Sequence, residues 1–201
     1  MALERNLWEK AVDFHGHVCM GLARGCRVAQ AAMQVFKERD IDEELVAIVE
    51  NDSCSIDAIQ VLIGCTLGKG NLIYRDYGKS VYTFIRRRDK KAIRVTLQDY
   101  PEESSAELKN LREKVFSGKA STEEKELLKT KNEEQIAYYL SRPLKEVCIV
   151  QEIATEIPGK ARIFPSVTCS SCGEKVMEPR ARLKNGKIVC IPCSEDYTRG
   201  W

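Results

Sequence analysis

Apolar residues recur at helical spacing through the first part of the chain and then give way to short continuous runs. The spacing predicts a short amphipathic helix over residues 7–14 and a longer helix over residues 18–36. The uninterrupted apolar run Leu45–Val49 predicts a buried strand, and the sequence after it predicts a helix over residues 56–63. The N-terminal part of the chain therefore predicts helices packed against a sheet.

Two runs rich in β-branched and aromatic residues, 81–85 and 92–97, predict a β-hairpin. Five of the six residues that connect them, 86–91, are basic. This basic tip is interpreted either as a solvated turn or as a surface for an anionic partner.

The sequence then becomes polar and helical, and Ser121 with Glu124 has the spacing of a capping box. Residues 147–153 predict one more strand, in which Cys148 is expected to be structural. Together these elements predict an α+β core domain, residues 1–157, with a mixed or antiparallel sheet and packed helices.

Composition narrows the class of protein. The chain is 43% hydrophobic and 31% charged, with a net charge of +2, which is typical of a globular protein without a strong preference for polyanions. It has neither a signal-peptide pattern nor an apolar run long enough to span a membrane, so we expect a cytoplasmic protein without a membrane partner. In that compartment the nine cysteines favour metal ligation over disulfides.

Four of these cysteines form the strongest motif of the chain. Two Cys-x-x-Cys pairs separated by 17 residues have the spacing of a structural zinc site, and their thiolates close a tetrahedron: Cys169, Cys172, Cys190 and Cys193. Asn185-Gly186 between the pairs predicts a tight hairpin turn. We therefore predict a treble-clef or zinc-ribbon-like finger over residues 158–201, folded by its metal. Its net charge of +2 only weakly supports nucleic-acid binding.

A second group of donors lies near the N-terminus. His15, His17 and Cys19 bring the only two histidines and one thiol into five residues. Imidazole and thiolate are ligands of zinc, nickel and iron. The two histidines lie about 200° apart on a helix, so both can bind one ion only if the connection before the helix holds them. If a single histidine binds, His17 is the better candidate because it is nearer Cys19.

Cys54 is the fourth candidate ligand. It falls at or just before the start of the helix predicted over residues 56–63, where the helix dipole is expected to stabilise a thiolate. Asp57 lies in the first turn, and its charge opposes a thiolate unless a metal is bound. Cys65 is either a buried small hydrophobe or a second thiol near Cys54.

Four ordered segments resemble the E-subunit family of formylmethanofuran dehydrogenase: residues 14–19 (FHGHVC), 54–60 (CSIDAIQ), 64–71 (GCTLGKGN) and 76–79 (DYGK). The resemblance covers about residues 5–155. Members often have Cys-Pro-Gly where this chain has Cys19-Met20-Gly21. The resemblance implies a dimeric α+β core, a metal near the His and Cys motifs, association with a molybdenum or tungsten dehydrogenase, and a link to methanogenesis. The finger resembles the auxiliary zinc domain of some members.

Three functions are compatible with these residues. The first is a metal-binding accessory, sensing or regulatory protein of molybdenum or tungsten enzyme metabolism, with a second metal of undetermined identity in the core. The second is a thiol- or metal-dependent enzyme that uses Cys54 or Cys19 with His17, although no catalytic triad or cofactor fingerprint indicates a reaction. The third is an adaptor whose finger binds protein or nucleic acid.

Overall fold

The structure is a computed structural model that describes residues 4–37, 42–98 and 106–195. It divides into two compact units, the first ending at Lys160 and the second beginning at Ala161. This division falls three residues after the limit of 157 that we expected for the core domain. The two units are described separately below.

The first unit is built on a five-stranded mixed sheet of order β2-β1-β3-β4-β5. Its strands are β1 Leu45–Val49, β2 Leu72–Tyr74, β3 Val81–Arg86, β4 Ala92–Leu97 and β5 Cys148–Ile153. The β1–β2 pair is parallel, and every other neighbouring pair is antiparallel. The predicted hairpin and the strands on either side of it are confirmed, whereas the short strand β2 was not predicted.

Helices pack against this sheet and carry the rest of the core. They are α1 Arg5–His15, α2 Met20–Phe36, α3 Ser55–Ala58, α4 Ala106–Phe116, α5 Thr122–Ser141 and α6 Leu144–Val147, with a π-helical turn Ile59–Ile63 directly after α3. The capping box of Ser121 and Glu124 is present at the start of α5. The α+β prediction is confirmed.

Helix α2 lies in the centre of the first unit, and eleven of its residues are buried. One of them is Arg27, which is 0% exposed. Its guanidinium donates hydrogen bonds to the carbonyl oxygens of Leu140, at 3.1 Å, and of Arg142. These carbonyls belong to the end of α5, where backbone acceptors have no partner within the helix, so Arg27 joins α2 to α5. Burial lowers the pKa of Arg27.

A glycine on α2 allows α3 to approach closely. A Cβ atom at Gly25 would lie 2.3 Å from the carbonyl oxygen and 2.6 Å from the Cα of Ser55. One turn earlier, a Cβ at Gly21 would lie 3.2 Å from the Cβ of Cys54. The small residues of α2 therefore bring the Cys54 segment against the start of this helix.

The basic hairpin tip takes part in internal contacts. Arg86 pairs with Asp89 at 2.7 Å, and this pairing holds the pKa of Asp89 at about 2. Arg87 donates to the carbonyl oxygens of Glu43 at 2.7 Å and Pro158 at 2.6 Å. Two of the five basic side chains thus stabilise the turn and the segments beside it, which favours the interpretation as a turn over an anionic surface.

The second unit consists of two short β-hairpins, β6 Ser166–Thr168 with β7 Lys175–Met177 and β8 Arg182–Lys184 with β9 Lys187–Val189. Asn185 and Gly186 have φ angles of 50° and 75°, as the predicted hairpin turn requires. The buried hydrophobic residues of this unit are Cys169, Val189 and Cys190. So small a core cannot stabilise a fold alone, and the cysteines must contribute through a metal.

Candidate metal centre

The structure brings the four predicted donors of the first unit together. The ligand atoms of His15, His17, Cys19 and Cys54 all lie within 4.8 Å of one another. His15 is the last residue of α1, His17 lies in the connection to α2, and Cys19 and Cys54 are the N-caps of α2 and α3. We call this group the core cluster.

Gly16 explains how both histidines reach one point. It ends α1 in the left-handed conformation, with a φ angle of 88°, and its N–H donates to the carbonyl of Val12. The chain therefore leaves the helix directly after His15, and the two imidazole rings lie with their centroids 4.3 Å apart. The expectation that a connection must hold the histidines agrees with this geometry, although His15 itself still belongs to the helix.

A carboxylate lies behind the first histidine. Nδ1 of His15 is 2.7 Å from Oδ2 of Asp57, while Nε2 is 3.7 Å from Sγ of Cys19. Gln60 donates to the other carboxylate oxygen of Asp57 at 3.2 Å. Carboxylates that bind the second nitrogen of a ligating histidine fix its tautomer and ring orientation. Asp57 and Gln60 were not predicted in this role, yet their spacing of three residues from Cys54 and from each other is the signal that they share a helix face.

The two thiols differ in their surroundings. Cys19 Sγ accepts a hydrogen bond from the backbone N–H of Leu22 at 3.3 Å, at the start of a 17-residue helix whose dipole favours a negative charge. Burial, and then the hydrogen bond and charge of Cys19, raise the pKa of Cys54. The prediction that a helix terminus would stabilise the Cys54 thiolate is wrong, because α3 has only four residues and Cys54 makes no side-chain capping bond. A cation would supply the missing compensation.

A hydrogen-bond network fixes the turn that carries Cys54. The hydroxyl groups of Ser55 and Tyr82 lie 2.7 Å apart, and Asn51 donates to the carbonyl of Lys79 at 2.8 Å. The Ser53 hydroxyl in turn donates to the side-chain oxygen of Asn51 at 2.7 Å. The sheet thus holds Cys54 in place through polar side chains on both sides of it.

Cys65 lies outside the core cluster. It is buried, and its thiol donates to the backbone carbonyl of Leu45 at 3.5 Å. Of the two interpretations that the sequence left open for this residue, the structure favours a small buried core residue over a second thiol beside Cys54.

A cavity of about 470 Å³ lies against the core cluster, and His15 and Cys54 form part of its wall. Asp52 and Asp57 supply its charged groups, and no lysine or arginine lines it within the described chain. Leu67 and Tyr74 also line the cavity. We call it the acidic cavity.

The four cysteines of the second unit form a separate cluster. Their sulfur atoms lie within 4.8 Å of one another. The backbone N–H groups of Cys172 and Cys190 lower the pKa of Cys169 to about 6, and the N–H of Cys190 lies 3.3 Å from its sulfur. Four thiolates complete a tetrahedron without an open position, which is the arrangement of a structural zinc site.

Both donor sets suit a metal ion. Two imidazoles and two thiolates match zinc and other borderline metals, and the carboxylate behind His15 strengthens that match. The fold and these clusters define a metal-binding protein with an α+β core and a C-terminal zinc finger. No helix of the described chain has both the length and the apolar character to cross a membrane.

Residues 14–149 match the family model described as "FmdE, Molybdenum formylmethanofuran dehydrogenase operon", and the chain belongs to this family. Residues 162–199 match the prokaryotic dksA/traR C4-type zinc finger. The family expected from the ordered motifs, and the finger expected from the cysteine spacing, are both confirmed.

Two relatives extend the comparison. The chain is 33% identical over 198 residues to an Archaeoglobus fulgidus protein described as "Probable S-adenosyl-L-methionine-binding protein". The match covers 94% of this chain but 52% of that protein, so the chain spans about half the length of this relative. A solved structure of an FmdE-like protein of tungsten formylmethanofuran dehydrogenase, from Syntrophus aciditrophicus, has a TM-score of 0.58 at 22% identity, covering 96% of both chains. At this identity the likeness shows the fold alone.

Proposed function

We propose that this chain is a metal-binding accessory protein of a molybdenum or tungsten enzyme system and that its core cluster holds the functional metal. The observation that carries the proposal is the convergence of four soft donors within 4.8 Å. The hydrogen bond between His15 and Asp57 supports it, because it directs Nε2 of the imidazole towards the cluster. The metal would supply a cation to balance two thiolates, and the protein supplies its shape and its second layer of hydrogen bonds.

The accessory role is supported by the description of the family, which names a molybdenum formylmethanofuran dehydrogenase operon. Sensing or delivering a metal requires a cluster that can exchange its ion, and His17 at the surface of the cluster is an exposed ligand. We propose a homodimer in the cytoplasm as the working form. All nine cysteines are free thiols, which supports a reducing compartment.

Metal analysis of the full chain tests the proposal. Wild-type protein is expected to hold one ion for each cluster, and Cys54→Ala is expected to lose the core ion while it keeps the finger zinc. Cys65→Ala is the matched control, because it removes a thiol outside the cluster and should keep both ions. If Cys54→Ala retains both ions, the core cluster is not a metal site.

The accessory role needs a separate measurement. Size-exclusion chromatography with purified molybdenum or tungsten dehydrogenase subunits should show co-elution with wild-type protein, and light scattering of the protein alone should give twice the chain mass. Absence of co-elution with the metal-loaded protein would contradict the partner, whatever the metal content.

A second candidate function is binding of S-adenosyl-L-methionine in the acidic cavity. The relative from Archaeoglobus fulgidus carries that description, and the cavity has the size of a small-molecule site at about 470 Å³. Its carboxylates suit the sulfonium and ammonium charges of this ligand. Leu67 and Tyr74, which are 70% and 43% exposed, offer an apolar and an aromatic surface for its planar base.

Calorimetry with S-adenosylmethionine and S-adenosylhomocysteine tests this second function, because the two molecules differ in the sulfonium charge. We expect the charged ligand to bind at least tenfold more tightly and Asp52→Asn to remove that preference. Asp42→Asn, which removes a charge outside the cavity, should leave the preference unchanged. Equal affinity for the two ligands, or no saturable binding, would exclude the cavity as the site.

A further inference from the structure

A groove of opposite charge lies on the other pair of core donors. Two cavities of about 450 and 220 Å³ share Val18, Asn132 and Ile136 and therefore form one continuous groove. His17 lines the larger cavity and Cys19 lines the smaller one. We call this space the α5 groove. A molecule in it would lie against two donors of the core cluster.

Three cationic side chains line the α5 groove, Arg112 from α4 and Lys125 and Lys129 from α5, against one carboxylate, Glu133. Within residues 4–37, 42–98 and 106–195, none of these three cations pairs with a carboxylate. Three cations beside one acid give the groove a positive potential, whereas the acidic cavity has two carboxylates and no cation among the described residues that line it.

Arg112 is held in place by neutral groups. One terminal nitrogen of its guanidinium donates to Oδ1 of Asn132 at 3.2 Å and to Oε1 of Gln135 at 3.3 Å. Amide oxygens orient the guanidinium without neutralising it. A fixed arginine that keeps its full charge is suited to bind a carboxylate or phosphate through two hydrogen bonds.

Apolar residues form the base of the groove. Leu128 and Ile136 are 8% and 4% exposed, and Val18 at the connection is 44% exposed. An apolar base beneath a cationic rim matches a molecule with a hydrocarbon body and an anionic group. The combined volume lies in the range of small-molecule sites rather than of the flat surfaces that bind proteins.

We propose that the α5 groove binds a small organic anion, whose carboxylate or phosphate group pairs with Arg112 and Lys129 while its other end lies against His17 and Cys19. The anion site stands on the geometry of the groove, and only its adjacency to a metal rests on the proposed function. The class of ligand is thus opposite in charge to the one that the acidic cavity would take.

Calorimetric titration of the full, metal-loaded chain with glutarate and, separately, with inorganic phosphate tests the proposal. The variants are Arg112→Lys, which keeps the charge but loses the fork, and Lys129→Gln. Loss of one charge-assisted hydrogen bond should weaken binding roughly tenfold or more. Lys131→Gln is the matched control, because Lys131 lies on the same helix and pairs with Glu134 at 3.2 Å. Its affinity should stay within about twofold of wild type, since it makes no bond to the anion.

Each outcome decides the proposal. Saturable binding of either anion that Arg112→Lys and Lys129→Gln weaken supports it, and the tighter probe identifies carboxylate or phosphate as the recognised group. Binding of neither anion, or an equal loss in Lys131→Gln, overturns it. Circular dichroism and retained finger zinc verify that each variant is folded. Metal analysis of the same samples separates the two proposals, because anion binding by protein without core metal would leave the groove supported and the metal centre refuted.

Discussion

The two donor clusters of this chain have the same number of ligands but are assembled in different ways. The finger's four cysteines lie within 25 residues, and the unit around them has a core of three buried hydrophobic residues. The core cluster takes donors from α1, its connection to α2, α2 and α3, which a sheet and a buried helix hold in place. In the finger the metal stabilises the fold, whereas in the core the fold positions the donors before any metal arrives.

This difference separates structural from functional sites. The finger cluster is a closed tetrathiolate, and its geometry suits permanent retention of zinc. The core cluster has mixed donors, a carboxylate behind His15 and a cavity or groove beside each pair of donors. A site with its own access routes and its own supporting hydrogen bonds is organised for exchange or ligand binding.

The largest expected effect is removal of zinc from the finger. Structural zinc contributes about 10–16 kcal/mol of apparent binding free energy in small finger domains. Cys172→Ser should therefore unfold the second unit, which limited proteolysis after Lys160 would detect. The thermal transition of the first unit should remain, because its core does not depend on that metal. A simultaneous loss of both transitions would contradict the comparison.

The next effect is expected at Gly25, where packing positions the core donors. A Cβ 2.3 Å from the carbonyl oxygen of Ser55 forces α2 and α3 apart, so Gly25→Ala should lower the free energy of unfolding of the first unit by about 3 kcal/mol. It should also release the core metal and spare the finger zinc. Gly68→Ala is the control, since its Cβ would meet nothing within 4 Å. Chemical denaturation with metal analysis measures both quantities, and equal stability of the two variants would refute the packing argument.

A smaller effect is expected from Asp57, which orients His15 without belonging to the cluster. Asp57→Asn should weaken core metal binding roughly 10–100-fold, as measured by competition with a chelator, and leave finger zinc unchanged. In the cobalt-substituted protein it should also shift the ligand-field absorption bands, because the imidazole changes orientation. Asp13→Asn removes a carboxylate from the exposed face of α1 and serves as the control. An identical loss in the two variants would reduce the role of Asp57 to net charge.

The mildest test leaves the sequence unchanged and maps thiol reactivity. Burial, followed by the charge of Cys19, raises the pKa of Cys26 to about 12, and burial raises that of Cys148 to about 12 against the opposing charge of Arg27. In chelator-treated protein at pH 8 these two thiols remain protonated and buried, whereas the finger unfolds without zinc and exposes its cysteines. Iodoacetamide should therefore modify Cys26 and Cys148 roughly a hundredfold more slowly than the finger cysteines. Mass spectrometry of timed samples would show this order, and rapid modification of Cys26 would mean that the first unit opens when metal is removed.

The sequence predicted those parts of the molecule that depend on local patterns. Helical spacing gave α1 and α2, the β-branched runs gave the hairpin of β3 and β4, and cysteine spacing gave the finger. The capping box at Ser121 was also found, because its two hydrogen bonds join residues three positions apart. In each case the structural cause lies within a few neighbouring residues.

What the sequence could not predict depends on contacts between distant segments. Strand β2 has three residues and forms only through its parallel pairing with β1. The role of Asp57 requires that α1 and α3 meet across 42 positions, and the pKa of Cys54 depends on burial and on Cys19. Local reasoning on helix dipoles gave the wrong sign there because it assumed a longer helix than the four residues of α3.

The chain order of the two clusters also sets a schedule for their metals during synthesis. The last strand of the first unit ends at Ile153, and the last finger cysteine is residue 193. At roughly 5–20 residues per second, the ribosome needs about 2–8 s to add those forty residues. During that interval the core donors are assembled while the finger still lacks its second cysteine pair. The first ion that a nascent chain captures is therefore the core ion, and the metal supply at the ribosome determines which element that is.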